Sequence, residues 1–468
     1  MILADATTDT LGFAGHLGAD VGLNSAWVMV AAVLVMFMQA GFAMLEIGFV
    51  RGKNAGSVIA KILVNFAIAA LGFWAVGFAF AFGGTGDILG THGFFVSNAA
   101  SFPLSFPSNP HGVTAETLWF FEFTFCAVAL AIVWGTTLER IKFGVYVIFA
   151  VVFSTVIYPV IAHWIFGGGW LASAVHVQDF AGAIVVDVTG AAAGLAILLQ
   201  LGPRRGKYGP DGGARAIPGH NMPLFGLGVL ILWLGWFGFN PGSTLSALDG
   251  RFGTVAMITQ LSGSAGVITA MIVMYAKTST FDIGMAGNGA IAGLVAITGP
   301  AGYVEPWAAP IIGGVAGVIV VYGVLAIDKR LDDPVGALAA HGLCGMWGAL
   351  ACGLFAAPRL AAHNLPGSHG GLLMTGSLRQ LGAQVVGIVV VAAFAFLVSY
   401  ATFYAIRKTY GLRVSAQEEN AGLDISEHGM YGYPEQFIPA PELVGYGAMP
   451  AGLRLGTGPM SDPEVTVR

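Results

Sequence analysis

The ionisable residues most able to do chemistry in this chain lie in a pattern that occurs twice. One copy starts at Asp179, has Gly-Ala three and four places later and reaches Asp187 at the eighth place. The other repeats this spacing from Asp333 to His341. Each copy opens an apolar segment of about 20 residues, so it places a titratable group in hydrocarbon, where such groups are costly and mark a pathway or a partner. An Asp facing a His there can hydrogen-bond a small polar solute, relay a proton or neutralise its partner.

Composition indicates that these groups lie in a membrane. Of the 468 residues, 56% are hydrophobic and 10% are charged, whereas soluble domains carry about a quarter charged residues. Apolar runs of about 20 residues predict membrane-spanning helices. Eleven such spans are predicted, at 25–50, 58–83, 118–138, 143–165, 178–201, 222–240, 252–276, 282–299, 306–326, 334–355 and 379–406.

Lys and Arg are distributed unequally between the two membrane faces. With residues 1–24 as an extracytoplasmic tail and no signal peptide, seventeen of them lie in cytoplasmic segments, and only Arg251, Arg359 and Arg379 lie outside. This bias predicts an N-terminus outside and a C-terminus inside. Residues 25–406 would form the membrane domain and 407–468 a cytosolic C-terminal tail.

The two copies of the pattern fall in spans five and ten. Because five is odd, spans one to five and six to ten run in opposite directions, so we expect a 5+5 inverted repeat plus one further span. At 1.5 Å per residue, Asp187 lies roughly 13 Å from the outer end of its span, and His341 roughly 10 Å from the inner end of its own. Both therefore lie near the middle of a core about 30 Å thick and can meet.

Aromatic residues give a second signal. Trp119-Phe-Phe-Glu-Phe-Thr-Phe125 begins span three and Trp236-Phe-Gly-Phe239 ends span six, both at the outer surface. Aromatic faces at a pore mouth can hold a small cation with about 0.5 to 2 kcal/mol, and the Ser243 hydroxyl could accept a hydrogen bond from it. A membrane-interface belt or a core explains the same residues, so both interpretations stay open.

Several long segments, in order, resemble the ammonium transporter family. They include Arg51-Gly-Lys-Asn54, Gly235-Trp-Phe-Gly-Phe-Asn-Pro-Gly-Ser243 and His341-Gly-Leu-Cys-Gly345, together with residues 38–46, 138–142, 162–169, 179–182 and 332–334. The resemblance runs from the first span to about residue 429. It implies an all-α polytopic homotrimer of the bacterial or archaeal Amt type, with eleven transmembrane helices, one pore per subunit and a part in nitrogen utilisation.

The resemblance also implies roles for particular side chains. The outer ammonium site is matched by Phe125, Phe166 and Ser243, with Asp179 shaping it without touching the solute. Phe125 and Phe239 match two stacked rings that gate the pore, and the pore residues are Asp187, His341 and Trp236. We read Asp179 and Asp333 as carboxylates at helix starts, where the helix dipole favours negative charge.

Two positions depart from the family's pattern. Phe166 stands where the family usually has Trp, and Phe is the weaker cation-π partner; Trp164 and Trp170 are close in sequence and could compensate. Asp187 replaces the first pore histidine. We expect ammonium to lose a proton at the outer site and Asp187 with His341 to carry that proton, giving net transfer of one positive charge. Alternatively, Asp187 attracts hydrated monovalent cations and weakens selectivity.

Residues from Leu412 to Gly429 resemble the family's cytosolic regulatory tail. That implies contact with neighbouring subunits, and closure by a PII-type signalling protein at the cytosolic face of the plasma (inner) membrane. A simple solvated tail stays an alternative, and the segment from 430 on is expected to be irregular.

Other functions are an ammonium sensor that binds with little flux and a Rhesus-type gas channel. An enzyme is not expected, because no predicted span contains the Gly-x-Gly-Asp and Tyr-Asp motifs of intramembrane aspartyl proteases or the Gly-x-Ser-Gly of rhomboids. Cys126, Cys344 and Cys352 lack metal-ligand spacing. No catalytic residue, metal, cofactor or nucleic-acid partner is therefore expected, only ammonium or ammonia and membrane lipid.

Overall fold

The computed structural model describes residues 18–97 and 112–437, which form an all-α membrane protein. The apolar helices are α1 (Ala19–Phe49), α2 (Gly52–Phe82), α3 (Ala115–Gly135), α4 (Phe143–Ser173), α5 (Ala183–Leu201), α6 (Met222–Gly242), α7 (Arg251–Thr278), α8 (Ile283–Thr298), α9 (Ala308–Ile327), α10 (Leu338–Phe355) and α11 (Arg379–Thr409). Within these described ranges, the only β-type pairings are two isolated bridges.

Ten of these helices are long and apolar enough to cross a bilayer, and they coincide with ten of the predicted spans. The predicted span at 282–299 coincides with α8, which has 16 residues and is therefore about 24 Å long. An eleventh crossing and the orientation of the termini stay predictions. The tail predictions for 1–17 and 438–468 concern residues outside those that the structure describes.

Glycines allow α1 and α6 to pack closely. A Cβ added at Gly228 would lie 2.3 Å from the Leu45 nitrogen, and one at Gly238 would lie 2.3 Å from the Ala31 oxygen. Such separations are far below van der Waals contact, so only glycine fits at these two positions. Small residues at helix contacts are how membrane helices gain packing energy without a hydrophobic driving force between them.

The repeated sequence pattern has a local structural explanation in both copies. Gly182 and Gly336 have φ angles of 117° and 75°, a region that side chains other than glycine rarely occupy. The carboxylate of Asp179 accepts hydrogen bonds at 2.7 to 3.1 Å from the four backbone N–H groups of residues 182–185, and Asp333 accepts one at 2.7 Å from Leu338. Each acid therefore satisfies free donors of a helix start, as predicted.

A wide, π-helical turn follows each of these starts. It covers Ala183–Val188 at the beginning of α5 and Leu338–Leu343 at the beginning of α10. Asp187 and His341 lie within these turns. Since such turns are rare and often occur at functional sites, their presence at both ionisable positions draws attention to this pair.

The tail lies against the membrane domain of its own chain. It contains α12 (Ala416–Ala421) and α13 (Leu423–His428). Asp424, which is fully buried, accepts hydrogen bonds from the backbone of Gly56 at 2.9 Å and Ser57 at 2.8 Å, at the start of α2. Arg413 forms an ion pair of 2.7 Å with Glu419. Up to residue 437 the tail is thus docked, and a freely solvated tail is wrong for this part.

Candidate functional site

A cavity of about 170 Å³ lies beside the start of α5 and the end of α6. All four residues expected at the outer site line it, namely Phe125, Phe166, Asp179 and Ser243. Glu122, Tyr303 and Asn364 also contribute to its wall. A small number of polar groups in a largely aromatic wall is typical of a small-ligand site.

Ser243 and Asp179, two polar residues of this cavity, differ in their ability to accept a hydrogen bond from a solute. The Ser243 hydroxyl donates to the Phe239 carbonyl at 2.8 Å, so its oxygen lone pairs stay free to accept a hydrogen bond from a solute. The Asp179 carboxylate already accepts four backbone hydrogen bonds. Asp179 therefore holds the wall in place, whereas Ser243 can bind a donor.

Two stacked phenyl rings lie at the cavity wall, to which Phe125 contributes. The Phe125 and Phe239 centroids are 4.1 Å apart with an interplanar angle of 23°, and both residues are 1% exposed. Trp236 lies next to Phe239, with their ring centroids 5.9 Å apart, and its Nε1 donates to Thr298 Oγ1 at 2.9 Å. Rings at this separation leave no space between them for a solute.

Asp187 and His341 meet in the interior, as their depths predicted. His341 Nδ1 lies 2.8 Å from Asp187 Oδ1, and the two residues are 6% and 1% exposed. The second carboxylate oxygen, Oδ2, is buried and accepts no hydrogen bond within the described residues. A buried acid and base in contact share protons as a unit, so one open acceptor position is available for a further proton.

A second, smaller cavity of about 30 Å³ lies on the other side of His341. It is lined by His341, Phe42, Asn288 and Glu46, among others, and such a volume suffices for a water molecule. The Glu46 carboxylate forms a buried ion pair with Lys61 of α2. His341 therefore faces a space whose wall also includes Glu46, one member of this ion pair.

The structure changes several sequence-based expectations. Lys61, counted among the cytoplasmic charges, lies inside α2 and is 1% exposed, where it pairs with Glu46. Trp164 and Trp170 do not line the cavity to which Phe166 contributes, and the Trp164 ring packs against Trp170 and Phe394. The Lys61–Glu46 and Trp164–Phe394 contacts join different helices, so sequence spacing does not predict them.

Glu122 is a cavity residue that the sequence interpretation missed. It lies in the aromatic segment 119–125, between Phe121 and Phe123. A signal was present, since an acidic residue four places after the start of a predicted span is unusual enough to need a partner. Glu122 Oε2 is buried and accepts no hydrogen bond among the described residues.

The chain is similar to known proteins along almost its whole length. The sequence model of the Ammonium Transporter Family matches residues 26–433. "Ammonium transporter Amt2" of Archaeoglobus fulgidus is 44% identical over 428 residues, covering 89% of each chain. "Ammonium transporter Amt1" of the same organism is 35% identical over 88% of this chain and 99% of its own.

Solved structures of known proteins are also similar to this chain along most of its length. A "Sensor Amt Protein" superposes with a TM-score of 0.80 and 34% identity, over 87% of this chain and 99% of that one. Mep2 of Candida albicans superposes with a TM-score of 0.77 and 30% identity, over 85% of this chain and 87% of its own. The similarity therefore extends over the helices that form both cavities.

Proposed function

This chain belongs to the ammonium transporter family, and from that premise we propose that it moves ammonium electrogenically, as ammonia and a proton that separate at the outer cavity. It is a multi-span ammonium transport protein and not an enzyme. The observation that carries the proposal is the buried contact of 2.8 Å between Asp187 and His341. This pair is the means by which the proton crosses a region that is otherwise apolar.

Recognition takes place in the outer cavity. Ammonium donates a hydrogen bond to the Ser243 oxygen and lies over the Phe125 ring, and a cation-π contact of this kind contributes about 0.5 to 2 kcal/mol. Phe166 supplies a second aromatic face in the same wall. Asp179 orients this wall through its hydrogen bonds to the start of α5 and does not bind the ion itself.

The stacked rings of Phe125 and Phe239 are the gate. A charged ion passing between two phenyl rings loses its hydration shell without gaining equivalent partners, which is costly. Neutral ammonia has a much smaller desolvation cost, so we expect it to pass when the rings rotate. The gate thus favours loss of the proton above it.

The proton follows through the Asp187–His341 pair. Oδ2 of Asp187 is the open acceptor position, and His341 lines the inner cavity. A proton accepted at Oδ2 is matched by one released from the far nitrogen of the imidazole into the inner cavity, so the charge of the pair is unchanged. Rotation of the carboxylate and the imidazole then restores their initial protonation before the next cycle. Each cycle carries one ammonia and one proton, and the net charge moved is one positive charge.

The broader assembly follows the family's pattern. We propose eleven spans, the short α8 included, in a 5+5 inverted repeat plus α11, with the N-terminus outside and the tail in the cytosol. The matched glycines and wide turns of α5 and α10 support the repeat. A homotrimer in the plasma membrane, with a PII-type signalling protein at the cytosolic face, completes the proposal.

An ammonium sensor is the second candidate function. The specific observation that favours it is the similarity to a "Sensor Amt Protein" at a TM-score of 0.80. In a sensor, ammonium would fill the outer cavity and the closed phenyl pair would prevent turnover. The docked tail would then transmit the occupancy of the site.

Currents from proteoliposomes on a solid-supported membrane distinguish these functions. After an ammonium jump, a transporter gives a current whose decay becomes faster at higher protein density, whereas binding alone gives a small transient with a density-independent decay. We expect Asp187→Asn, which preserves shape but removes the acid, to abolish the density-dependent component. Full electrogenic transport by this variant would refute the relay. Potassium currents in the wild type but not in Asp187→His would support the cation-attraction alternative.

A further inference from the structure

Glu122 is an acidic side chain of the outer cavity whose Oε2 has no hydrogen-bond partner among the described residues. It lies on α3, one turn before Phe125, and it lines the cavity together with Ser243 and Phe166. The residue is only 5% exposed. Its Oε2 is buried and accepts no hydrogen bond from any described residue.

No cation within the described parts of the chain forms an ion pair with this carboxylate. Among the ion pairs that the structure describes in residues 18–97 and 112–437, none includes Glu122. Burying an ionised carboxylate without a partner costs several kcal/mol. A buried carboxylate whose oxygen faces a cavity is therefore suited to a cationic ligand that supplies the missing donor.

The contrast with Asp179 identifies which acid is available. Both carboxylates line the same cavity. The oxygens of Asp179 are occupied by four backbone N–H groups, so a solute would have to compete with the start of α5 for them. Glu122 has no such competitor and is therefore the acid that a cation can reach.

We propose that Glu122 is the anionic member of the outer site and binds a small monovalent cation that carries N–H donors. The proposal rests on the proposed function of the outer cavity as the ammonium site, but it concerns binding and not turnover. Ammonium or methylammonium can donate one hydrogen bond to Glu122 and another to Ser243 while it faces the Phe125 ring. The contacts with Glu122, Ser243 and Phe125 thus select a ligand by its charge, by the direction of its N–H donors and by its small size.

The wall of the cavity disfavours a divalent metal ion. Calcium takes six to eight oxygen ligands and magnesium demands near-ideal octahedral geometry. No group of three or more His, Cys, Asp or Glu side chains suited to a metal occurs in the part of the chain that the structure describes. One free carboxylate, one hydroxyl and aromatic faces instead suit a cation that is bound by hydrogen bonds and ring faces.

This assignment also explains how the site can work with phenylalanine at position 166. Phe is a weaker cation-π partner than Trp, and neither Trp164 nor Trp170 lines the cavity. The charge of Glu122 adds a direct attraction in a partly desolvated space, where it is stronger than in water. Binding should therefore depend more on this acid than on the ring of Phe166.

The test measures ammonium binding separately from transport. The charge displaced in the first milliseconds after an ammonium jump is recorded at low protein density, and its dependence on ammonium concentration gives the half-saturating value. We expect Glu122→Gln to raise this value by about tenfold, which corresponds to about 1.4 kcal/mol. The matched control is Glu116→Gln, an equal change of charge on the same helix at an exposed position, which should change it less than twofold.

Two further variants keep the test decisive. Glu122→Asp retains the charge and should stay within about threefold of the wild type, and it replaces Glu122→Gln if the latter unfolds. Adding Phe166→Trp to Glu122→Gln should recover part of the affinity, because Trp is the stronger cation-π partner. An unchanged half-saturating value in Glu122→Gln, or an equal change in Glu116→Gln, would overturn the proposal. If the wild type binds ammonium but shows no sustained current, transport fails and the role of Glu122 is still measured.

Discussion

The buried ion pair between Glu46 and Lys61 allows a quantitative prediction. The two side chains are each 1% exposed, and they join α1 to α2 beside the inner cavity. The second Glu46 oxygen, Oε1, is buried without a hydrogen-bond partner among the described residues. Lys61 is therefore the group that balances this carboxylate, and removing either partner leaves an unpaired charge that is only 1% exposed.

The free energy of unfolding lost in each single substitution can be calculated as the cost of neutralising the remaining side chain, which must gain or lose a proton. In Lys61→Met, Glu46 must take up a proton at pH 7, about 2.7 pH units above the value at which Glu titrates in water, so the cost is about 3.7 kcal/mol. In Glu46→Gln, Lys61 must lose a proton about 3.4 units below its value in water, which costs about 4.6 kcal/mol. Both agree with the loss of about 3 to 5 kcal/mol typical of broken buried pairs.

The two variants should respond to pH in opposite directions. In Lys61→Met the folded protein binds one proton more than the unfolded chain, so its stability falls by about 1.4 kcal/mol for each unit of rising pH. In Glu46→Gln the unfolded chain binds one proton more, so stability rises by the same amount. The double variant Glu46→Gln/Lys61→Met leaves no buried charge, and we expect its stability within about 1.5 kcal/mol of the wild type.

Free energies of unfolding from detergent-denaturation titrations at pH 6, 7 and 8 test this reasoning. Wild type and the double variant should give nearly parallel pH dependences, and the single variants should give slopes of opposite sign. Equal slopes in both single variants, or a double variant as unstable as the two single losses together, would refute it. The charge would then be neutralised by groups other than its partner.

Two further predictions concern the cytoplasmic side. Burial would raise the pKa of Asp332, but the hydrogen bond and charge of Arg204 lower it to about 2. Since the unfolded value is about 3.9, this pair should stabilise the protein by about 2 to 3 kcal/mol above pH 5 and lose that contribution as pH falls through 2. Thermal unfolding against pH measures this, and Asp332→Asn should remove the dependence. Asp424→Ala should release the tail and speed hydrogen exchange at the Gly56 and Ser57 amides by about tenfold, while a wild-type exchange rate there would show that Asp424 does not hold the tail.

The local features of the site could be read from sequence because they depend on short spacings. An Asp followed three places later by Gly satisfies a helix start and permits a backbone turn with positive φ, and both copies, at Asp179 and Asp333, do so. Apolar length indicated the spans, and depth along two of them indicated that Asp187 and His341 could meet. These inferences need only the rise of a helix and the thickness of a bilayer.

The partners of the other charged groups were decided by tertiary structure alone. Glu46 and Lys61 lie on different helices, and only the rotation and packing of α1 against α2 brings them together. From the sequence, Asp179 and Glu122 are both expected near the outer surface. In the structure, backbone amides donate hydrogen bonds to Asp179, whereas Oε2 of Glu122 has no partner among the described residues. Sequence spacing determines which hydrogen bonds a side chain makes to the backbone of its own segment. Helix packing determines which side chains from distant segments share a desolvated space. In this protein, helix packing therefore decides which acid can bind a cation.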